Sequence, residues 1–385
     1  MTMKTLIKTS IKSLRTSAGI IALALSTGCG QPDAPQDQTP ASDPLRVGVI
    51  LPLTGRLAPM GEMERNAMLL AQKDLNPNER RIELFIEDGK GTPKDAAAAA
   101  NKLLDIDDVD VLITSTTGAS MAAQPIATAK KRNLIAYCMD ADIARASDYT
   151  MRYYIGIDEE AAAIVQHYEQ QQTSRKVGIL YAKVPALEKV AANTYIPSLE
   201  AHGHKVVFKD SYEINETNFR NMIVKLKASG AQDLILVGYG FEYPSIFKEL
   251  EGSGLLGKLQ ILGGWGFLYT TLTKEQVEGV LVSGPDYVFR DQDLANAFRE
   301  KYEAAYGAKP NFDAAFAYTV TTSLAENLSR AEREVPLKQR LSKLGERTNI
   351  VGTYTITPEG NMIVNTSLGV FRDGIIQPLQ GTTAQ

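Results

Sequence analysis

Apolar and polar positions along the chain follow two rhythms that take turns. LRVGVILPL, Leu45 to Leu53, is almost unbroken apolar and runs into Thr54-Gly55, the pattern of a strand buried on both faces. In GEMERNAMLLAQKDLN the residues Met63, Ala67, Leu70 and Ala71 recur at helical spacing. RIELFIED then reads as a strand, and KDAAAAANKLLD as a helix rich in the strongest helix former. VDVLITS is a strand entering the small-residue loop TSTTGAS; MAAQPIATAKKRN is a helix and LIAYC a strand. After MRYYIGIDEE the alternation resumes with KVGILYA, KVVFKD, DLILVGYG, LQILGG and GVLVSGP as strands, helical stretches filling most gaps. The rear holds helices in DLANAFREKYEAAYG and DAAFAYTVTTSLAENLSRA. A β-rich run follows, GTYTITPEGNMIVNTSLGVFRDG, in which Pro358-Glu359-Gly360-Asn361 reads as a hairpin turn.

Strands alternating with helices specify an α/β fold of parallel sheets with helices on both faces, linked by right-handed crossovers. The strands number about a dozen, more than a compact open sheet normally holds, so two Rossmann-like lobes are expected. No compositional linker separates them, which fits lobes joined by several short crossings.

The first 28 residues stand apart. Lys4, Lys8, Lys12 and Arg15 form a basic, acid-free region before SAGIIALAL, an apolar stretch too short to span a bilayer. This is the pattern of a secretory signal. LSTGCG resembles a bacterial lipobox, with Gly28 before a lipidated Cys29, although Ser26 holds the place usually taken by a bulky apolar residue and Leu25 lies one further out. Residues 29–44 are Pro-rich and without large apolar side chains, hence a tether. Losing the signal takes the formal net charge of −4 four units lower. No basic stripe exists to meet nucleic acid. Cys138 is the only cysteine besides Cys29, so the lobes have no internal disulfide.

No motif supports catalysis: there is no Gly-x-Ser-x-Gly elbow, no His-Glu-x-x-His and no phosphate-binding loop. His202-Gly203-His204 lacks further ligands for a metal, and DIDDVD, Asp105 to Asp110, has Val109 at a calcium-ligand position and no glycine. The chain therefore reads as a non-enzyme with no metal or cofactor.

The ordered series VGVILPLTGRLAPMGEMERNAMLLAQKDLN, IEDGKGTPKDAAAAANKLL and VLITSTTGASMAAQPIA resembles the first lobe of type I periplasmic binding proteins. The likeness is greatest to the leucine/isoleucine/valine-binding family of ABC-transporter receptors. NFRNMIVKLKASGAQDLILVGYG, GLLGKLQILGG and EGVLVSGPDY resemble the second lobe, and FAYTVTTSLAENL the return helix. The resemblance covers about residues 45 to 375 and implies three crossings, near Ile157, Pro285 and Thr353. Lobe 1 is then 45–157 with 286–352, lobe 2 is 158–285 with 353–378, and 379–385 is a flexible tail. Ligand is expected between the lobes, beyond the carboxyl ends of the strands.

Several residues are candidates for that site. Thr117, Gly118 and Ala119 open a helix, where hydroxyl and backbone N–H groups suit an anion; the family's carboxylate-holding position matches Thr117, and the competing role is a helix cap. Thr54, Gly55 and Arg56 follow the first strand. Asp140 and Asp142 stand where the family often has Ser/Ala/Thr, and either accepts an ammonium group or caps the next turn. Tyr239 and Phe241 flank a position that is commonly a ligand-touching tyrosine, and Tyr318 matches a tyrosine reaching in from the return helix or else packs between helix and sheet. Trp265, the only tryptophan, lies in GGWG where amino-acid receptors of the family carry an acid for the ligand's ammonium. A ring there loses an ionic hydrogen bond and favours a flatter or uncharged ligand.

The expectation is a monomeric, lipid-anchored extracytoplasmic receptor that delivers a small amino-acid-like or aromatic molecule to an ABC permease. Two rivals share the fold. One is an envelope lipoprotein regulator, such as an activator of penicillin-binding proteins, for which Gly30 after the lipidated cysteine suits outer-membrane sorting; the other is a ligand sensor.

Overall fold

The computed structural model describes residues 43–77, 81–289 and 293–379. The signal peptide, Cys29 and almost all of the tether lie outside these residues, as does the tail beyond Leu379.

The first sheet contains β1 (Leu45–Leu51), β2 (Ile82–Asp88), β3 (Val111–Ser115), β4 (Asn133–Tyr137) and β5 (Thr150–Arg152). Its order is β2-β1-β3-β4-β5, parallel throughout. The central strands β3 and β4 are buried along their whole length, as continuous apolar runs require. Helices α1 (Ala58–Leu75) and Phe312–Asn327 cover one face. The other is covered by α2 (Pro93–Asp105) and α3 (Thr117–Ala129), whose alanines Ala96, Ala100, Ala123 and Ala127 are fully buried there.

In the second sheet β6 (Lys176–Ala182), β7 (Lys205–Tyr212), β8 (Asp233–Val237), β9 (Gln260–Gly263) and β10 (Leu281–Pro285) are parallel. A small sheet follows in sequence, made of β11 (Arg347–Asn349), β12 (Gly352–Ile356) and β13 (Met362–Val364). Then β14 (Thr366–Arg372) and β15 (Ile375–Pro378) add antiparallel to the edge beside β10, giving the order β15-β14-β10-β9-β8-β6-β7. Helices α4 (Ile157–Glu169) and α5 (Pro185–Val190) belong to this lobe.

The chain passes between the lobes' cores three times. Tyr153, Tyr154 and Ile155 pack with the first lobe and Ile157 with the second; Val282 of β10 packs with the second and Tyr287 with the first. The last passage differs from expectation. Residues 353–364, expected in lobe 2, form the β12–β13 hairpin, and Tyr354, Ile356, Met362 and Val364 point their alternating apolar face into the lobe 1 core. That moves the third crossing from near Thr353 to Asn365.

Candidate ligand cleft

Ligands of open α/β sheets bind beyond the carboxyl ends of the strands. Four contacts set the two groups of ends against each other. Arg56, after β1, donates from Nη1 to Asn215 Oδ1 at 3.1 Å, and its guanidinium carbon lies 4.0 Å from the ring centre of Phe241, after β8. Lys189 of α5 donates to Asp142, after β4, at 2.6 Å. The Tyr269 ring, after β9, meets Phe312 of the first lobe at 5.8 Å.

On the first wall, Thr54 donates its hydroxyl to Asp88 Oδ2 at 2.6 Å and Gly55 takes φ +84°, so this loop is braced from within. Thr116 is held at φ 79°, ψ 148°, a conformation costly for a β-branched residue and typical of ligand-clamping loops. Its hydroxyl accepts from Ala119 N, so the cap of α3 is Thr116. The hydroxyl of the half-buried Thr117 has no hydrogen-bond partner among the described residues, Gly118 is exposed, and Ala119 is buried beneath them. Asp140 uses Oδ1 to cap the short turn Ala141–Arg145 through Asp142 N at 3.0 Å. Asp142 is bound by Lys189 and Arg145, and the Lys189 hydrogen bond holds its carboxyl below the usual range. Capping and ion pairing thus occupy both acids.

The second wall is aromatic. Tyr239 and Phe241 stack at 5.6 Å, Trp265 stands edge-on to Tyr239 at 5.3 Å, and Tyr269 stands edge-on to Trp265 at 5.4 Å. Two features of sequence put them there. Gly264 lets its turn close on Glu160, since a Cβ would sit 2.1 Å from Glu160 Oε2; Trp265 N then donates to Glu160 Oε1 at 2.8 Å. Gly240, at φ +94°, lies so close to the Gly266 carbonyl that a Cβ would be 1.9 Å away, which locks the loops after β8 and β9 together. The Trp265 ring is half-buried, and although its strand belongs to lobe 2, it packs against the core cluster of lobe 1.

Tyr318 lies away from the cleft, against the expectation that it reaches the ligand. Its hydroxyl donates to Asp74 Oδ2 at 2.7 Å in the last turn of α1, and its ring meets Phe298 at 5.1 Å. Because α1 starts at the strand ends and runs away from them, this tyrosine sits in the helix layer and does not reach toward the cleft.

Sequence reasoning missed Tyr269, whose buried hydroxyl has no partner among the described residues. It also missed Glu242, which accepts from Tyr239 N at 2.8 Å and from the Tyr212 hydroxyl, steadying the aromatic loop. Beneath the first wall lie Glu64, accepting from Ser115 Oγ at 3.0 Å, and Asp313, accepting from Tyr154 Oη at 2.5 Å. Burial pushes both carboxyls up, Asp313 to about 7. Helix spacing marks Glu64 only as part of α1 and gives no hint of a buried acid.

His204 is structural: Nδ1 accepts from Arg175 N and Nε2 bonds the Tyr168 carbonyl. In Asp105–Asp110, Asp105, Asp107, Asp108 and Asp110 are each paired with lysine or arginine. Burial raises the Cys138 thiol to about 11. No cluster of three or more His, Cys, Asp or Glu suited to a metal occurs among the described residues.

Two doubly wound lobes, crossed three times and meeting at their strand ends, define a two-lobed solute receptor. The chain belongs to the type I periplasmic binding proteins, in the leucine/isoleucine/valine-binding family: the model described as "Periplasmic binding protein" matches residues 44–369. A leucine-, isoleucine-, valine-, threonine- and alanine-binding protein of Pseudomonas aeruginosa is 25% identical, over 77% of this chain and 81% of that one. Two solved structures share the fold. A solute-binding protein of an ABC transporter from Rhodopseudomonas palustris, in complex with 3,4-dihydroxybenzoic acid, has a TM-score of 0.76 and 19% identity over 87% of this chain and 95% of that one. The branched-chain amino acid transporter substrate-binding protein of Streptococcus pneumoniae, in complex with isoleucine, has a TM-score of 0.71 and 20% identity over 86% and 97%.

Proposed function

We propose that this protein is the lipid-anchored receptor of an ABC importer, and that it captures a small carboxylate with a flat, apolar body. The observation that carries the reading is Trp265, a half-buried ring of lobe 2 packed toward lobe 1, at a position where the family resemblance implies an acid in amino-acid receptors. The remaining parts support it. The α3 N-terminus with the unbonded Thr117 hydroxyl suits a carboxylate, while the row Phe241, Tyr239, Trp265 and Tyr269 suits a planar body. Asp140 and Asp142 are occupied by a cap and by two cations, so they are poor partners for an ammonium group. Proteins of this fold take both kinds of ligand: the Rhodopseudomonas protein held an aromatic acid and the Streptococcus protein an aliphatic amino acid. Closure of the lobes around ligand would produce the form the permease recognises, and Cys29 would keep the receptor at the membrane.

Isothermal titration with 4-hydroxybenzoate, its carboxamide and leucine tests the ligand class. The acid should bind more tightly than leucine, and the amide about tenfold or more below the acid, since it gives up a charge-assisted hydrogen bond. Leucine binding more tightly than the acid would overturn the aromatic assignment.

A further inference from the structure

Two consecutive glutamates in the first turns of α4 face opposite duties. Glu159 looks toward the crossings. Its Oε1 accepts from Arg152 Nη2 at 2.8 Å, and its backbone carbonyl accepts from Thr366 Oγ1 at 2.9 Å, just past the third crossing. Arg152, fully buried at the end of β5, also donates to the Tyr154 carbonyl in the first crossing, to Asn361 Oδ1 and to the Met362 carbonyl. One guanidinium therefore ties the first connection between the lobes to the β12–β13 hairpin that leads into the third. Gly156 is glycine for this contact: a Cβ there would stand 1.8 Å from Glu159 Oε2 and 2.7 Å from Arg152 Nη1.

Glu160 is turned about 100° around the helix from its neighbour and looks toward the cleft. It is 1% exposed, forms no ion pair among the described residues, and accepts the Trp265 N–H. A buried carboxyl without a cation is an expensive way to satisfy one N–H; a serine or a backbone carbonyl would serve if capping were its whole task. Its placement against Gly264 fixes the turn that carries the tryptophan.

We propose that Glu160 is a positioning residue that couples Trp265 to the hinge: Arg152 sets the first turn of α4 through Glu159, and the same turn sets the indole through Glu160. Separating buried Arg152 from Glu159 would leave an uncompensated charge, so the pair stays joined as the lobes rotate, and the helical turn transmits its orientation to the ring. The orientation of the indole is then tied to the hinge, so that capture and closure become one event. The coupling rests on the reading of Trp265 as a cleft residue only for its consequence in binding.

The test uses the ligand-free full chain, in which Trp265 is the only indole. Emission and acrylamide quenching are compared for wild type, Glu160→Gln, Glu160→Ala and Glu159→Ala, with circular dichroism recording folding. Glu160→Ala and Glu159→Ala should both red-shift the emission and raise the quenching constant, while Glu160→Gln, which keeps an acceptor, should resemble wild type. If Glu159→Ala does not fold, Glu159→Gln takes its place and should shift emission in the same direction. A response to Glu160→Ala with none to the Glu159 variant overturns the coupling. No response to either, or Glu160→Gln behaving like alanine, overturns the positioning role as well. Failure of the aromatic-acid assignment would appear separately, in titrations with ligand, and would leave these ligand-free results standing.

Discussion

Two adjacent threonines illustrate how chemistry divides between neighbouring residues. Thr116 and Thr117 have the same side chain, yet φ 79° at Thr116 turns its hydroxyl onto Ala119 N and leaves the next one unbonded. The sequence leaves cap and ligand both open for Thr117; the dihedral that gives the cap to Thr116 depends on the whole loop. Thr116→Ala should therefore cost about 1 kcal/mol of stability, as loss of a cap does. Thr117→Ala should leave the melting temperature of the empty protein nearly unchanged while weakening ligand about tenfold. Calorimetry and titration of the two variants check the division. The buried acids add a pH dependence. Burial raises the folded-state pKa of Asp313 to about 7 from the ordinary value of 3.8. Protonation of this group then favours the folded form, so its contribution is fully present below about pH 4 and is lost as pH rises through about 7. Thermal melts across that window should show stability falling, and Asp313→Asn should flatten the slope; an unchanged slope in the variant would assign it elsewhere.

Among the strands and helices, legibility followed burial. Strands such as β3 and β4 are buried on both faces, and their unbroken apolar runs show in the sequence. The β12–β13 hairpin was visible as alternation with a turn, but a period of two states only that one face is covered, not which lobe covers it. Its side chains go to the lobe 1 core, and the third crossing moves with them. The helix Phe312–Asn327 hides its geometry for a different reason. It is buried on nearly every side, from Phe312 through Ala317 and again at Thr319 to Thr321, so no amphipathic stripe marks which way Tyr318 points. With its hydroxyl on Asp74, Tyr318→Phe should lose about 1 kcal/mol of stability with no change in ligand affinity. Denaturant melts and titration of this variant would expose a binding role if affinity fell instead.

Across the molecule, the two-lobed architecture was legible because alternation and the ordered family-like segments agree, whereas the contacts that bring the lobes together were not. Arg56 with Asn215 and Phe241, and Asp142 with Lys189, join residues far apart in sequence whose types alone say nothing of pairing. Both partners of the Asp142–Lys189 pair are 52% exposed, so its worth is at most about 1 kcal/mol, or roughly fivefold in a closure equilibrium. Lys189→Ala should loosen ligand by no more than that, and by less in high salt. A larger or salt-independent loss would mean Lys189 touches ligand directly.

Everything proposed for binding depends on solute being held between the lobes against Trp265, and one experiment addresses this with the ligand still unidentified. Thermal shift and tryptophan emission are recorded together over a panel of small carboxylates. A true ligand at a hundred times its dissociation constant adds about 2.7 kcal/mol of stability, and the same compound should change the emission of the single indole. A compound that stabilises the fold to that degree while leaving the emission untouched would place the site elsewhere and contradict capture against the ring.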